Sequence, residues 1–445
     1  MTLIMSVSGV RGIVGQTMTP RLAADLGAAF GTFIGGGKVV IGRDSRPSGP
    51  MLQHALAAGL LATGCDVVTL DVVTTPGVAL MIGEHGAAGG VVLTASHNPT
   101  PWNGIKFLTS QGFAPPPADA ERIFGVYHAS DFALKDALDV GRIQSDDSTH
   151  RKHVERVLRI VDVEAIRARR FKVVLDSVNG AGGPGGRQLL DALGCDVVHL
   201  NAEPTGRFAH TPEPTKENLT GLCDAVREHG AQLGFAQDPD ADRLAIVDNL
   251  GRYIGEEFTV ALTARHRLAT APGPVAVNLS TSRMVDDIAA SVGGDARVVR
   301  TAVGEANVAH AIMNDGCVMG GEGNGGVIDP RVVCVRDSFA GMGLVLDLLA
   351  AEGKPLDTIV DSIPQYVMVK TKFEMPRDQI DAWLNRARGI ADGKVNDADG
   401  LRIDWPEGWV HLRPSNTEPI ARVISEAADA ATANALVERM TALRG

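Results

Sequence analysis

Aromatic residues are scarce in this sequence, 4% of 445 residues, and it contains no basic run. A chain of this length exceeds a single core and predicts several domains. With few aromatics, those cores are packed by Ala, Val, Leu and Ile, within an apolar fraction of 44% that excludes disorder. Lys and Arg number 42 against 53 Asp and Glu, a formal charge of -11. Nucleic acid and acidic membrane surfaces are repelled at long range by such a chain. An anionic ligand would have to be met by a few local cations or a metal ion. The five cysteines, Cys65, Cys195, Cys223, Cys317 and Cys334, are odd in number and lack CxxC spacing, which fits neither a disulfide framework nor a zinc site. Reduced, buried thiols in a cytoplasmic protein are the expectation. No apolar run approaches the ~18 residues of a membrane span, and the opening MTLIMSVSGVRG has no basic leader region.

Glycine, in contrast, is plentiful at 51 residues, and serves turns and close backbone approach. Much of it falls inside a repeat. KVVIGRDSRPSG (38–49) leads through an Ala/Leu-rich helix to GCDVVTLD (64–71). KVVLDSVNGAGG (172–183) leads through LLDALGCD to VVHLN (197–201), and a weaker third copy begins VAVNLSTSR (275–283) and reaches RVVRT (297–301). Each is a βαβ pattern, and the shared GCDVV argues against coincidence. The fold class predicted is α/β: three similar α/β domains with mixed, mostly parallel sheets. A C-terminal α+β domain with an antiparallel sheet follows, read from VMVKTKFEM, GLRIDW, GWVHLRPS and IARVISEA as strands without long helices between them and TANALVERMTALR as a final helix. Polar or Gly/Pro stretches place the domains at 1–150, 151–250, 251–366 and 367–445.

Four polar stretches stand out, one per domain. LTASHNPTPWNGIKF (93–107) sets Ser96 and His97 on a loop turned by Asn98-Pro99, with Lys106 on the next strand; a solvated Ser/Asn turn is the plain alternative. The G-x-S-x-G elbow of an acyl-transfer serine is absent. QDPDADR places Asp238, Asp240 and Asp242 at alternate positions. Two unit charges ~4 Å apart repel by about 4 kcal/mol at an effective dielectric near 20. A hard divalent cation, Mg²⁺, converts that repulsion into binding; a solvated acidic turn is the alternative, and the EF-hand positions are wrong. MGGEGNGGVI (319–328) offers Glu322 and Asn324 among five glycines, suited to vicinal hydroxyls or simply a flexible loop. HLRPSNTEPIAR (411–422) gathers Arg413, Ser415, Asn416, Thr417 and Arg422, a donor set able to wrap a phosphate, or a capping box of Ser415 with Glu418. Arg11 in SGVRG, with Arg43 and Arg46 in GRDSRPSG, lies at the ends of apolar runs, where ligands of α/β sheets bind; surface salt bridges are the alternative.

TASHNP, DPDADR, GEGNGG and RPSNTEP, in this order over essentially the whole chain, resemble the α-D-phosphohexomutase family, which includes phosphoglucomutases, phosphomannomutases and phosphoglucosamine mutases. The resemblance implies four domains around a central cleft. It implies interconversion of hexose 6-phosphate and hexose 1-phosphate, with Ser96 carrying the phosphoryl group and a hexose 1,6-bisphosphate as intermediate and activator. One Mg²⁺ per chain would be held by Asp238, Asp240 and Asp242 together with the phosphorylated Ser96. Lys106 would do acid/base work, His97 would orient, and Arg11 and Arg243 would neutralise the phosphoryl group. Substrate binding would fall to Arg43, Arg243, Glu305, Glu322, Asn324, Arg413, Ser415, Asn416, Thr417 and Arg422. The partner expected is a small sugar phosphate, the assembly a monomer or homodimer. The sequence departs from the commoner family pattern at Asn324 (often Ser), Gly326 (often His) and Glu305 (His in several glucose/mannose-type enzymes). A Glu near a 2-amino group points toward glucosamine phosphate, with glucose or mannose phosphate the alternative. A Mg²⁺-dependent sugar phosphatase and a non-catalytic sugar-phosphate sensor are the rival functions.

Overall fold

The computed structural model describes residues 3–7, 9–389, 392–415 and 420–444. The first sheet holds β1 (Ile4–Ser6), β2 (Gly9–Ile13), β3 (Gly37–Arg43), β4 (Cys65–Val72), β5 (Gly89–Leu93), β6 (Trp102–Thr109) and β7 (Ile143–Ser145), in the order β1-β2-β6-β5-β3-β4-β7. The second holds β8 (Lys172–Asp176), β9 (Asp196–Leu200), β10 (Leu233–Gln237) and β11 (Leu244–Asp248), in the order β11-β10-β8-β9. The third holds β12 (Pro274–Asn278), β13 (Arg297–Thr301), β14 (Met319–Glu322) and β15 (Gly326–Ile328), in the order β13-β12-β14-β15.

One unit recurs in all three. A first strand pairs in parallel with a second and a third, and the third turns back as an antiparallel hairpin to a fourth. Helices Gly49–Ala62, Gly182–Ala192 and Met284–Val292 make the first crossover, and Thr75–His85, Thr220–His229 and Glu305–Asn314 the second. The repeat read from GCDVV is thus the first half of a larger repeat. Its continuous Val/Ile/Leu runs follow from burial on both faces: β5, β10 and β11 are buried at every residue. The stretches TASHNP, DPDADR and GEGNGG occupy the same place in each unit, the hairpin after the third strand. They therefore emerge at the carboxyl ends of the parallel strands, the edge where open α/β sheets bind ligands.

The last sheet is antiparallel: β16 (Val367–Glu374), β17 (Lys394–Asn396), β18 (Leu401–Asp404), β19 (Gly408–Pro414) and β20 (Ile420–Ala427), in the order β16-β20-β19-β18-β17. The expectation of no long helix among these strands is corrected by helix Arg377–Gly389, which buries Ile380, Trp383, Leu384 and Ala387. Their i, i+3, i+4, i+7 spacing is that of a helix face.

Packing divides the chain unequally. A single buried cluster runs through the first three sheets, from Val40 and Val92 through Leu175, Phe235 and Leu244 to Val275, Val327 and Phe339. The fourth domain has its own cluster, centred on Trp383, Leu401, Val410, Leu412, Val423 and Met440. It meets the third domain through polar contacts: Arg283 N donates to Glu426 (2.9 Å), Ser280 Oγ bonds His411 Nδ1 (2.9 Å), and Val303 N donates to Asp399 (3.1 Å). Trp383 is fully buried and its indole N–H donates to Met440 O at 2.9 Å. Trp383→Ala is expected to destabilise the fourth domain by about 3–5 kcal/mol, while the unfolding of the other three, followed by scanning calorimetry, stays in place.

Candidate functional site

The seryl loop is held from below. Arg46 is fully buried and paired with Asp44 (2.9 Å), and its guanidinium donates to the carbonyls of Ser96 (2.6 Å), Asn98 (2.8 Å) and Pro99 (3.1 Å). Thr94 Oγ1 accepts from Ser96 N at 2.9 Å, and Ser96 itself adopts a left-handed backbone (φ 50°). A non-glycine residue there is strained, and such strain clusters at functional sites. The result presents Ser96 Oγ to the next domain. It donates to Asp238 Oδ2, 142 residues later, at 3.2 Å, and lies 3.3 Å from His97 Nδ1. Burial, then the cations Arg243 and Arg11, push His97 down to about 3, so the ring is neutral near pH 7, which suits orientation better than proton abstraction.

Asp238, Asp240 and Asp242 all sit buried, with ligand oxygens within 4.8 Å of one another. The hairpin forces this: Ala241 takes a left-handed conformation (φ 55°) and Arg243 N closes the loop on Asp238 Oδ1 at 3.1 Å. The neighbouring domains then contribute donors. Thr75 Oγ1 donates to Asp240 Oδ2 at 2.6 Å, and Lys106 Nζ lies 2.8 Å from Asp240 and 3.7 Å from Asp242. Burial, then Asp242 and Asp240, hold the Asp238 carboxyl well above the usual carboxylate range. Burial also acts to raise Asp240, but Lys106 and Thr75 outweigh it and the net shift is downward. For Lys106 burial acts downward, and Asp240 and Asp242 reverse it, so the amine is held charged. Asp240 Oδ1 and Asp242 Oδ1 are buried without a hydrogen-bond partner. Two orphaned carboxylate oxygens beside a third carboxylate form an all-oxygen donor set that fits a hard dication such as Mg²⁺.

The third loop faces the same place. Glu322 Oε1 accepts from Asn278 Nδ2 (2.8 Å) and Gly304 N (3.2 Å), and Oε2 accepts from Arg336 (2.9 Å). Arg336 also binds Asp242 (2.6 Å) and Glu305 (2.9 Å). Leu244 N donates to Gly325 O at 2.9 Å, tying this loop to the start of β11. Asn324 Oδ1 is buried without a partner, the one side-chain oxygen of this loop, among the described residues, left for a ligand.

On the fourth domain Arg413 and Arg422 stand directly opposite each other on β19 and β20. Arg413 is oriented by Asp399 at 2.9 Å. Ser415 N donates to Ile420 O at 2.9 Å, while Asn416 and Thr417 lie outside the described residues. Arg11, on β2, donates to Asn98 Oδ1 at 3.1 Å; burial lowers its affinity for a proton, with Arg243 adding to the effect and Asp240 opposing it. Arg243 lies 3.9 Å from Asp242.

Ser96, His97, Lys106, Arg11, Arg243, the three aspartates, Glu305 and Glu322 are therefore brought together. Arg43 pairs with Asp71 beside a groove lined by His54 and Asp146. Sequence reasoning missed Thr75, Asn278 and Arg336. Arg336 carried a weak signal, a lone cation between the apolar run Val332–Val335 and the helix-capping Asp337.

Comparison with known proteins agrees with this geometry. Residues 3–134, 151–251 and 256–366 match the models of phosphoglucomutase/phosphomannomutase alpha/beta/alpha domains I, II and III, and residues 370–443 that of the C-terminal domain. A protein of Thermococcus kodakarensis named "Phosphoglucomutase/phosphomannomutase" is 40% identical over 429 residues, covering 94% of this chain and 93% of the relative. One of Methanopyrus kandleri named "Probable phosphoglucosamine mutase" is 39% identical over 425 residues, again covering 94% and 93%. The crystal structure of a phosphoglucomutase/phosphomannomutase family protein from Burkholderia thailandensis superposes with a TM-score of 0.88 at 27% identity, covering 99% of this chain and 96% of that one. Its four domains in order, and the relatives that span nearly all of it, make this chain a member of the phosphoglucomutase/phosphomannomutase family.

Proposed function

We propose that this protein is a phosphohexomutase that moves a phosphoryl group between O6 and O1 of a hexose through phosphorylated Ser96. The observation that carries the reading is the 3.2 Å contact of Ser96 Oγ with Asp238 in a pocket that also holds Lys106 and two orphaned carboxylate oxygens. Phosphoryl transfer asks the protein for alignment and charge neutralisation more than for covalent chemistry, and this pocket supplies both. Asp238, Asp240 and Asp242, with the phosphorylated Ser96, would hold one Mg²⁺, which supplies positive charge to the phosphoryl oxygens when bound.

In the forward half-reaction the P–O bond to Ser96 breaks as a P–O bond to the free sugar hydroxyl forms. Lys106, held as a cation by its aspartates, gives a proton to the departing seryl oxygen, and the neutral amine receives the proton of the incoming hydroxyl. Arg11 and Arg243 offset the charge of the group in flight. Arg413 and Arg422 grip the phosphate already on the sugar. The product of this half is a hexose 1,6-bisphosphate, which turns end for end and returns its other phosphoryl group to Ser96. Asn324 and Glu322 meet hydroxyls in either orientation. A domain 4 that closes over the cleft excludes water, which would otherwise hydrolyse the phosphoserine.

Glucosamine phosphate is the substrate this reading favours, because Glu305 and Glu322 set two carboxylates on the sugar side. Glucose or mannose phosphate is a second reading, favoured by Arg336, which already engages both carboxylates. Turnover compared across glucosamine, glucose, mannose and N-acetylglucosamine phosphates with Mg²⁺ decides between them. Phosphate release without isomer formation would mark a phosphatase instead.

Ser96→Ala is expected to lower turnover by at least about three orders of magnitude while calorimetric binding of the sugar phosphate persists; unchanged turnover would refute the assignment. Intact-mass measurement is expected to show one added phosphoryl group after treatment with hexose 1,6-bisphosphate, absent in that variant. Chelation by EDTA is expected to abolish turnover, and added Mg²⁺ to restore it. Arg46→Met leaves Asp44 buried and unpaired and releases three loop carbonyls. A stability loss of about 3–5 kcal/mol in denaturant unfolding is expected, with turnover falling further than stability alone explains.

A further inference from the structure

Arg336 is the one cation that touches both the aspartate loop and the sugar-side loop among the described residues. Its backbone is fixed on both sides. Asp337 N donates to Val327 O at 2.8 Å, and the Asp337 carboxylate caps helix Ser338–Glu352 while bonding buried His153 at 2.7 Å. From that anchor the guanidinium reaches Asp242 through Nη2 (2.6 Å), Glu322 through Nη1 (2.9 Å) and Glu305 through Nε (2.9 Å). These carboxylates come from three elements: the β10–β11 hairpin, the end of β14 and the start of helix Glu305–Asn314. Without the cation they repel one another.

The glycine at 326 belongs to the same device. A Cβ placed there would lie 2.1 Å from Arg336 Cδ and 2.6 Å from Cγ. A side chain at 326 and this course of Arg336 exclude each other. The departure from the commoner family pattern at Gly326 is thereby given a physical reason: the space is filled by an arginine arriving from another element.

We propose that Arg336 is a positioning residue that couples the cation-binding carboxylates to the sugar-contacting loop, fixing Glu322 for the sugar while sharing Asp242 with the metal site. The proposal rests on the phosphohexomutase reading for the identity of the sugar ligand, and on the aspartate cluster alone for the cation. Its two halves have opposite signs. Arg336 competes for Asp242 Oδ2 and adds positive charge beside the three aspartates, so removing it favours a divalent cation. Removing it also releases Glu322 and Glu305 to repel each other, so it disfavours the sugar.

The test measures Mn²⁺ affinity by electron paramagnetic resonance on the unliganded protein, and KM, kcat and calorimetric affinity for the sugar phosphate, in the wild type, Arg336→Met, Arg336→Lys and Gly326→Ala. Arg336→Met is expected to bind Mn²⁺ about threefold more tightly, with a KM raised about tenfold and a smaller fall in kcat. Arg336→Lys keeps the charge but not the fork: Mn²⁺ affinity returns toward wild type while KM stays high. Gly326→Ala, which leaves every charge in place, is expected to raise KM by displacing the guanidinium. Weakening of both ligands together in Arg336→Met, with a lowered melting temperature, would reduce Arg336 to a structural strut and overturn the proposal. So would wild-type values for both ligands in that variant, or a wild-type KM in Gly326→Ala. A wild type that interconverts no hexose phosphate would refute the proposed function instead, and the Mn²⁺ comparison would still judge the cation half.

Discussion

Three carboxylates buried within 4.8 Å of one another are the constraint around which this molecule is organised. Each pair at such a distance repels by about 4 kcal/mol at an effective dielectric near 20, and the hairpin that carries them offers only Arg243 against that repulsion. Further relief comes from other domains. Lys106 and Thr75 reach in from the first and Arg336 from the third, while backbone bonds from Thr75 N to Asp240 O (2.9 Å) and from Ser338 N to Ala241 O (3.2 Å) fix the loop between them. The electrostatics of the site and the association of the first three domains are thus one problem with one solution. The buried cluster that runs through all three sheets is its apolar counterpart.

The repeat makes that solution reachable. Each α/β unit places its third-strand hairpin at the carboxyl edge of its sheet, so three copies facing a common space deliver a seryl loop, an aspartate loop and a sugar-side loop without any loop being long. The loop after β14 has only three residues, Gly323 to Gly325, with Glu322 opposite Gly326 in the register. Function has diverged in the side chains on these hairpins while the backbone plan has stayed the same.

This explains what the sequence disclosed and what it withheld. TASHNP and DPDADR are contiguous, and their meaning lies in local turn chemistry and like-charge spacing, both of which survive in one dimension. The repeat was visible because parallel strands buried on both faces leave unbroken β-branched runs. Arg336, Thr75 and Asn278 act through partners 94, 165 and 44 residues away, and no local pattern announces such a pairing. The pairing of Arg43 with Asp71 was hidden for a different reason. The register between β3 and β4 shifts at Ile41/Gly42, beside Asp71 in a left-handed conformation (φ 60°), and a bulge re-aims the side chains that follow it. Helix Arg377–Gly389 was legible in its apolar spacing but overshadowed by the strands on either side.

The fourth domain stands apart from this arrangement, with an apolar interior of its own and a border to the third domain made of hydrogen bonds and ion pairs. Parting that border trades protein contacts for water contacts and uncovers little hydrocarbon. The heat-capacity increment of such a motion is correspondingly small, since it scales with apolar area exposed. The enthalpy and entropy of such a motion then change little with temperature, and the charged contacts of the border weaken as ionic strength rises. The fourth domain is thus held to the third by charge and hydrogen bonds more than by hydrocarbon, and salt sets the strength of that hold.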